Sequence, residues 1–373
     1  MCYRLKQYAS SPNSCKGKGR HSSSMLHPLQ NNAFQGTAGG TKTQEFNMKK
    51  VLLSLVAITL ATISYAQSTQ VATLNHGGAI STFYGPEALV DAVSHASSSG
   101  GDVITLSSGL FTAAQINKAV TIRGAGMEMD ATTGIAPTII NQDFKLRHDY
   151  STGYRLTIEG VRFNGVITTT TGIPSPTFIK CKFKAITTSD SYYHSMPNAN
   201  FIHCIITDSI FAARESSFSF HNCFVNKMVG GSSRVCNFEN CIIGNMTADV
   251  PLAIKNSIIF GDQIVGTCAA YNSIVFYDAV AKHCQGTDIV NSALLSNVFK
   301  EFRGTYDDNI SLTLTDEAAS ILIGSDFTQV GIYGGAYPFD PIPTNPRIVR
   351  CDVAKRSTAD GKLNVEVEVK KAE

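Results

Sequence analysis

Apolar residues recur along the middle of the chain at positions −3, 0 and +2 relative to a Cys or Ser. The repeated phrases are "FIKCKF" at Cys181, "FIHCII" at Cys204, "FHNCFV" at Cys223 and "FENCII" at Cys241, followed by "IKNSII", "AYNSIV" and "IVNSAL" with Ser in place of Cys. Neighbouring units are 16 to 23 residues apart, and "IEGVRF" around Val161 fits upstream. Self-similarity at this period is typical of a repeat architecture in which each unit stacks on its neighbours.

The spacing inside each unit predicts two strands joined by a one-residue corner. Positions 0 and +2 share a face of a strand, but −3 and 0 differ in parity and would face opposite sides of an unbroken strand. A bend therefore lies between them. The residue at −1 is Gly160 in the first unit and Asn in five others, and both types tolerate a left-handed backbone. The corner asparagines are Asn222, Asn240, Asn256, Asn272 and Asn291.

A second apolar cluster, such as Ile210-Phe211, follows at about +5 to +8 and predicts a third short strand per unit. Three strands with inward positions that repeat indicate an all-β fold, a parallel β-helix whose coils stack at roughly 4.8 Å. Like side chains then form ladders, and we expect the corner asparagines to hydrogen-bond to one another.

Eight cysteines follow Ala66. Four of them, Cys181, Cys204, Cys223 and Cys241, occupy position 0 and are expected to stack as small buried side chains. Stacked side chains run parallel instead of pointing at one another as disulfide geometry requires, so we expect these thiols to be free. No Cys or His spacing fits a zinc site, and the metal content stays unknown.

The pattern resembles right-handed parallel β-helix proteins of the pectate-lyase-like superfamily, of the secreted bacterial type. The resemblance extends to a short amphipathic helix, "PEALVDAVSHASS", with "GGDVITLSSGLFTAAQINKAVTIRGAG" after it, and to "GIYGG" as a last coil. It implies a β-helix over residues 85–337 and a helix that caps its N-terminal end. Members are often polysaccharide lyases or glycoside hydrolases, but their catalytic motifs are missing, and Asp307-Asp308 stands without its companions.

The remaining segments flank this coil. Residues 48–66 have the basic start, apolar run and Ser-Tyr-Ala end of a secretory signal peptide, which predicts export to the periplasm, cell surface or medium without a later transmembrane segment. Residues 1–47 are interpreted as a non-native upstream extension, and residues 67–84 as a lead-in. A Pro-rich linker spans residues 338–346, and residues 347–373 predict a C-terminal β-hairpin, turning at Asp360-Gly361, that serves as cap or appendage.

Export changes the charge. Eight of the 31 basic residues and one of the 29 acidic residues precede Gln67, which leaves a net charge of about −5. A mildly acidic surface argues against nucleic acid or anionic lipid as the main partner.

Asp262 and Asp278 both lie at +5 in consecutive units, which predicts carboxylates stacked roughly 5 Å apart. That spacing suits the two catalytic groups of a retaining glycosidase, or a calcium site as the one cofactor considered. Asx residues are also ordinary turn formers, and this alternative stays open.

A loop cluster forms the second candidate site. The ligand-binding candidates precede the −3 strand and share one corner of the coil: Asp149, Tyr150, Tyr154, Arg155, Tyr192, Tyr193, His194, Arg214 and Glu215. Tyr rings stack on sugars, while Arg and His hydrogen-bond to hydroxyls or carboxylates. Solvated loops that merely carry polar residues are the alternative.

The function expected from these features is recognition of a carbohydrate by a secreted, monomeric, non-catalytic β-helix. The alternative is a polysaccharide lyase or glycoside hydrolase that acts on an extracellular glycan.

Overall fold

The computed structural model describes residues 70–147, 155–188, 195–232, 234–286, 290–291, 294–344, 346–353 and 365–370. The predicted extension and signal peptide, residues 1–47 and 48–66, lie outside the described residues. Among the described residues, no helix has the length and apolar character needed to cross a bilayer.

The chain forms a parallel β-solenoid of about eight turns, which confirms the all-β coil predicted from the repeats. Its strands line two long sheets, numbered here together in chain order. Sheet A contains β1 (Val71–His76), β2 (Ala79–Tyr84), β3 (Val103–Leu106), β6 (Thr121–Arg123), β9 (Thr157–Glu159), β11 (Thr177–Ile179), β13 (Ala199–Ile202), β15 (Phe218–His221), β17 (Cys236–Glu239), β19 (Leu252–Lys255) and β21 (Cys268–Tyr271). Sheet B contains β4 (Gly109–Phe111), β5 (Gln115–Ile116), β7 (Thr138–Ile140), β8 (Phe144–Leu146), β10 (Val161–Thr169), β12 (Lys182–Thr187), β14 (Ile205–Ala212), β16 (Phe224–Gly230), β18 (Ile242–Met246), β20 (Ile258–Ile259), β22 (Ile274–Val275) and β23 (Val290–Asn291).

Four helices and a hairpin complete the described elements. The helices are α1 (Ala88–His95), α2 (Asp278–His283), α3 (Leu295–Val298) and α4 (Asp316–Ile321). Helix α1 buries its predicted apolar face, including Leu89 and Val93, in the core of the coil. Strands β24 (Arg347–Val353) and β25 (Val365–Lys370) pair antiparallel, as the predicted hairpin requires, and the Asp360-Gly361 turn lies outside the described residues.

The third strand is separate near the N-terminus, where β5 and β8 follow β4 and β7, and after β20 it is reduced to a parallel bridge between Met246 and Ile264. From β10 to β16 it is the second half of one longer strand, which continues across a shift in register. A bulge of this kind bends a strand without ending it. The predicted separate third strand is thus corrected to a bent second strand in the middle coils.

The interior contains ladders of like side chains, with Phe, Ile or Ala at the same position in successive coils. In sheet A, Phe178, Phe201, Phe220 and Phe238 pair in register, and their stacked rings lie 5.1, 4.9 and 4.6 Å apart. Parallel in-register strands place each ring directly over the next, so one choice of side chain propagates along the stack.

The cysteine ladder runs through the middle coils. Its members are buried, and each thiol donates to a backbone carbonyl of the preceding coil. The backbone N–H of Cys204 donates to Cys223 Sγ at 3.3 Å, and the N–H of Cys241 donates to Ser257 Oγ at 3.0 Å, so thiol and hydroxyl fill the same role in successive coils.

The predicted left-handed corners are also present. The φ angles at this position lie between 46° and 68° for Gly160, Lys180, His203, Asn222, Asn240, Asn256 and Asn272. Lys180 and His203 are additions that the Asn and Gly pattern does not predict. The corner predicted at Asn291 is corrected, because Asn291 lies in β23 opposite Val275 and not at a corner opposite Asn272. Helix α2 enters this coil and resets the register that the local phrase suggests.

A second apolar surface covers the outside of sheet B. The outward residue that follows position 0 is apolar and buried in five coils, namely Ile205, Phe224, Ile242, Ile258 and Ile274. These side chains share a cluster with Val298, Phe299 and Phe302. We call residues 294–321 the cover segment, because they bury this face.

The chain then runs back along the row of corners. In this clasp segment, residues 322–344, the N–H of Ser325 donates to Asn256 Oδ1, and the carbonyl of Ile332 accepts from Asn222 Nδ2, each at 2.9 Å. Further contacts join His203 Nε2 to the Tyr337 carbonyl, Lys180 Nζ to Asp340 and Glu159 to the Thr344 N–H. The corner asparagines Asn222 and Asn256 therefore bond to the clasp segment, where the stacking argument predicts bonds between asparagines.

The cover and clasp segments occupy residues for which the sequence predicts the last coils of the β-helix and a linker. The resemblance predicts β-helix through residue 337 and a linker over residues 338–346, whereas among the described residues the parallel ladder ends at β23. "GIYGG" and most of the Pro-rich stretch pack on the outside of earlier coils, where Pro343 Cγ lies close to Gly160.

Replacement of Phe220 by Ala tests the interior stack. The side chain is fully buried between two stacked rings, so we expect the variant to lose about 3–5 kcal/mol of unfolding free energy. Ser219→Ala, on the same strand and partly exposed, is the control and should change stability by less than about 0.5 kcal/mol. Denaturant midpoints measure both, and equal midpoints would contradict a continuous phenylalanine ladder.

Stability should depend on the protonation of His203. Burial, together with the charge of Lys180, lowers the pKa of His203 below the usual 6.5 despite its hydrogen bond to the Tyr337 carbonyl. The unfolded chain thus takes up the proton first, so the stabilisation is complete above pH 6.5 and is lost as pH falls toward the folded pKa.

Replacement of His203 by Asn, the residue at the next corner, should flatten this part of the stability–pH profile. Chemical denaturation at a series of pH values provides the measurement. His95→Asn, at an exposed position, is the control and should keep the wild-type slope. An unchanged slope in the His203 variant would show that other groups cause the pH dependence.

Candidate functional site

The cover segment ends over the early coils, where the outer row of sheet B changes from apolar to cationic. The row continues from Ile205 to Lys182 and then Arg162 in register. A groove of about 550 Å³ opens at this point between the sheet and residues 306–309. We call it the Lys182 groove, and its polar lining is formed by Arg162, Asn164, Lys182, Lys184, Thr207, Tyr306, Asp307, Asp308 and Asn309.

Lys182 is the centre of the groove. Its side chain is only 4% exposed, and its ammonium donates to Glu128 Oε1 at 2.9 Å, to the Tyr306 hydroxyl at 3.0 Å and to Asp308 Oδ1. An ammonium has three protons, so these acceptors satisfy it completely. Its Nζ also lies 4.9 Å from the centre of the Tyr306 ring, a cation–π distance. Lys182 therefore anchors the cover segment to the coil, and all three of its N–H donors are used within the protein.

The neighbouring groups are fixed by this anchor. Arg162 donates through Nη1 to Asp308 Oδ2 at 2.8 Å and through Nε to Asn164 Oδ1 at 2.9 Å. Partial burial works to raise the pKa of Asp308, but the hydrogen bonds and charges of Lys182 and Arg162 outweigh it and lower the pKa below 3.8. Burial, with the charges of Glu128 and Asp308, raises the pKa of the Tyr306 hydroxyl well above its ordinary value. Tyr306 thus stays protonated and donates to Glu128.

Around this fixed centre, exposed polar groups face the groove. Lys184, Asp308 and Asn309 are exposed, and Asn164 and Thr207 are partly exposed. Arg162 retains donors beyond the two bonds described, since a guanidinium carries five. Three cations are balanced by Asp307, Asp308 and the adjacent Glu128, so the groove has many hydrogen-bonding groups and little net charge.

Part of the predicted loop cluster lines a second groove. Arg214 and Glu215 follow β14 in the turn from sheet B to sheet A and border a groove of about 610 Å³ with Ser232 and Asp249. Arg234 Nε donates to Glu215 Oε2 at 2.9 Å. Arg155 occupies the corresponding turn of an earlier coil and is exposed. The other predicted members lie outside the described residues, namely Asp149, Tyr150, Tyr154, Tyr192, Tyr193 and His194.

The predicted carboxylate pair follows a different course. Asp262 lies exposed in a bend after β20, while Asp278 is the first residue of helix α2. Strands β20 and β22 are in register only through Ile259 and Val275, and the chain leaves the ladder before either carboxylate. The pair stays a prediction. Among the described residues, no group of three or more His, Cys, Asp or Glu side chains is arranged to hold a metal ion.

The repeat pattern contains a signal for the Lys182 groove. In "CII", "CFV" and "SII" the residue after position 0 is apolar, although an outward residue of a bare β-helix should be polar. The same position is occupied by Lys182 and Arg162 upstream, so the sequence marks where an outer covering begins and ends. It does not mark the partner, because Asp308 is 126 residues from Lys182.

Comparison with known proteins gives no match to this chain, whether among protein families, curated proteins or solved structures.

Removal of the central ammonium should loosen the cover segment. Lys182→Met keeps an unbranched side chain, one atom shorter, but leaves Glu128 and Asp308 without their shared cation. Glu128 is partly exposed and Asp308 is exposed, so water can solvate both carboxylates and we expect a loss of only about 1–3 kcal/mol of unfolding free energy at neutral pH.

The loss should shrink in acid. Asp308 has a lowered folded pKa, so its stabilisation is present above its usual pKa of 3.8 and is lost as pH falls through the folded value. Chemical denaturation of wild type and Lys182→Met at neutral pH and at a pH below 3.8 measures the difference in unfolding free energy between them. Lys184→Met, on the same strand and exposed, is the control and should remain close to wild type. A gap that persists unchanged in acid would rule out the ion pairs as its cause.

Proposed function

We propose that this chain is an exported β-helix protein of the pectate-lyase-like type that binds a carbohydrate in the Lys182 groove. One observation carries the proposal: the groove of about 550 Å³ is lined by polar side chains, and a hydrogen-bonded chain from the buried Lys182 through Asp308 and Arg162 to Asn164 holds part of that lining in place. Preformed hydrogen-bonding groups lower the ordering cost of binding a polar ligand.

The chemistry of the lining favours a saccharide. Asn164, Asn309 and Asp308 offer amide and carboxylate groups, and Arg162 and Lys184 offer donors, which suits the adjacent hydroxyls of a sugar ring. Since cations and carboxylates balance, we propose a neutral glycan over a polyuronate. Export, predicted from residues 48–66, places the protein where such polymers occur.

Binding without turnover is the better supported reading of this site. A glycosidase needs a carboxylic acid with a raised pKa, whereas the surroundings of Asp308 lower its pKa. Glu128 and Asp308 both bond to Lys182, which keeps them in a structural role. A lyase or hydrolase remains the alternative function, and turnover would identify it.

Titration calorimetry with soluble neutral glucans, mannans and xylans, and with polygalacturonate and alginate, tests the proposal. We expect wild type to bind a neutral glycan and the double variant Lys184→Ala/Asn309→Ala to bind it at least about tenfold more weakly, the effect of losing one or two hydrogen bonds to a charged or polar group. Lys227→Ala is the control, since Lys227 is exposed on sheet B but does not line the groove.

Two results would count against the proposal. Equal affinity of the double variant and the Lys227 control would place the binding site elsewhere, with the Arg214 turn as the next location to vary. Release of reducing ends or of unsaturated uronides from any of the polymers would favour the enzymatic alternative.

A further inference from the structure

Two cysteines outside the ladder lie side by side at the end of the coil. Cys268 begins β21, and Cys284 follows helix α2 in the next coil. A parallel bridge between Ala269 and Gln285 puts the two cysteines in register, and their Sγ atoms are 3.0 Å apart. Both side chains are buried.

This pair differs from the ladder cysteines in its surroundings. In the ladder each thiol donates to backbone carbonyls, as Cys223 Sγ does to Phe201 and His221. The side-chain hydrogen bond of Cys268 and Cys284 joins them to each other. Neighbouring strands in register are about 4.8 Å apart, which falls within the Cα separation of about 4.4–6.8 Å found in disulfides.

We propose that Cys268 and Cys284 form a disulfide that links the last two coils when the protein reaches an oxidising compartment. The co-reactant is the disulfide of an oxidised thiol–disulfide oxidoreductase or of a small molecule such as oxidised glutathione. The Cys284 thiolate attacks one sulfur of that disulfide, forms a mixed disulfide and releases the other sulfur as a thiolate. The Cys268 thiolate then attacks Cys284 Sγ and releases the second sulfur. Two electrons pass to the oxidant and two protons leave the pair.

The polarity of the pair agrees with this order of attack. The hydrogen bond with Cys268 lowers the pKa of Cys284, and the same bond, with burial, raises the pKa of Cys268. The thiolate is the nucleophile in disulfide exchange, so we assign the first attack to Cys284, while the bridge itself follows from the register and the 3.0 Å separation of the two Sγ atoms.

The bridge would close a loop that contains β22 and helix α2. Helix α2 replaces the rest of the strand ladder in this coil, so among the described residues β22 and β23 pair over two residues, against five for β12 and β14. A covalent link at this position restrains the end of the stack.

Peptide mapping by mass spectrometry tests the proposal. The purified full chain is incubated with oxidised glutathione, denatured, alkylated and digested. We expect a Cys268–Cys284 linked peptide, with the ladder cysteines fully alkylated. Cys236→Ser is the matched control, because Cys236 lies in the same column two coils earlier and the bridge should form without it.

Cys268→Ser should leave Cys284 free to form a mixed disulfide with glutathione. In wild type, reduction should lower the thermal midpoint, and in Cys268→Ser it should have no effect. Alkylation of both cysteines after oxidation, or a bridge from either to another cysteine, would overturn the proposal. Circular dichroism of each variant confirms that a negative result comes from folded protein.

Discussion

Parallel stacking of coils at backbone hydrogen-bonding distance is the constraint on which this structure depends. Once strands lie in register, every side chain has its counterpart above and below, so each position must accept a copy of itself. Phenylalanine rings meet this demand by stacking, and Cys and Ser meet it because their side chains are small and accept the N–H of the preceding coil. The left-handed corner follows from the same demand, since it turns the chain while it keeps both strands facing inward.

The outer surface obeys a different rule, because it is free to vary along the stack. Where the outward row is apolar, the cover segment buries it; where the row becomes Lys182 and Arg162, the covering ends in an ion-pair network and a groove. The groove is therefore a boundary between two ways of completing the same sheet. The ion pairs of Lys182 fix its geometry, and it is open to solvent because the cover segment does not extend over this part of sheet B.

The interior could be predicted from sequence because register repeats it. The corner at Asn222 and the ladder at Cys204 each leave a mark in several units, and one coil corroborates another. Lys180 and His203 were not predictable, because their left-handed backbone is compensated by contacts to Asp340 and Tyr337, far along the chain. Asn291 misleads because its local phrase imitates a unit after helix α2 has displaced the chain. The Lys182 site depends on one long-range pairing that no repeat records.

The clasp segment changes how the molecule can come apart. In a plain solenoid each coil touches only its neighbours, so unfolding can begin at either end and spread one unit at a time. Here one stretch of chain bonds to the corners of several coils, from Asn256 back to Glu159. Unfolding of any of those coils would detach part of the clasp segment, to which the other coils also bond. The clasp segment therefore couples distant repeats and makes the array behave more like a single cooperative domain. Because the clasp segment is synthesised after the coils it joins, the array acquires this cooperativity only after the chain has been made as far as Thr344.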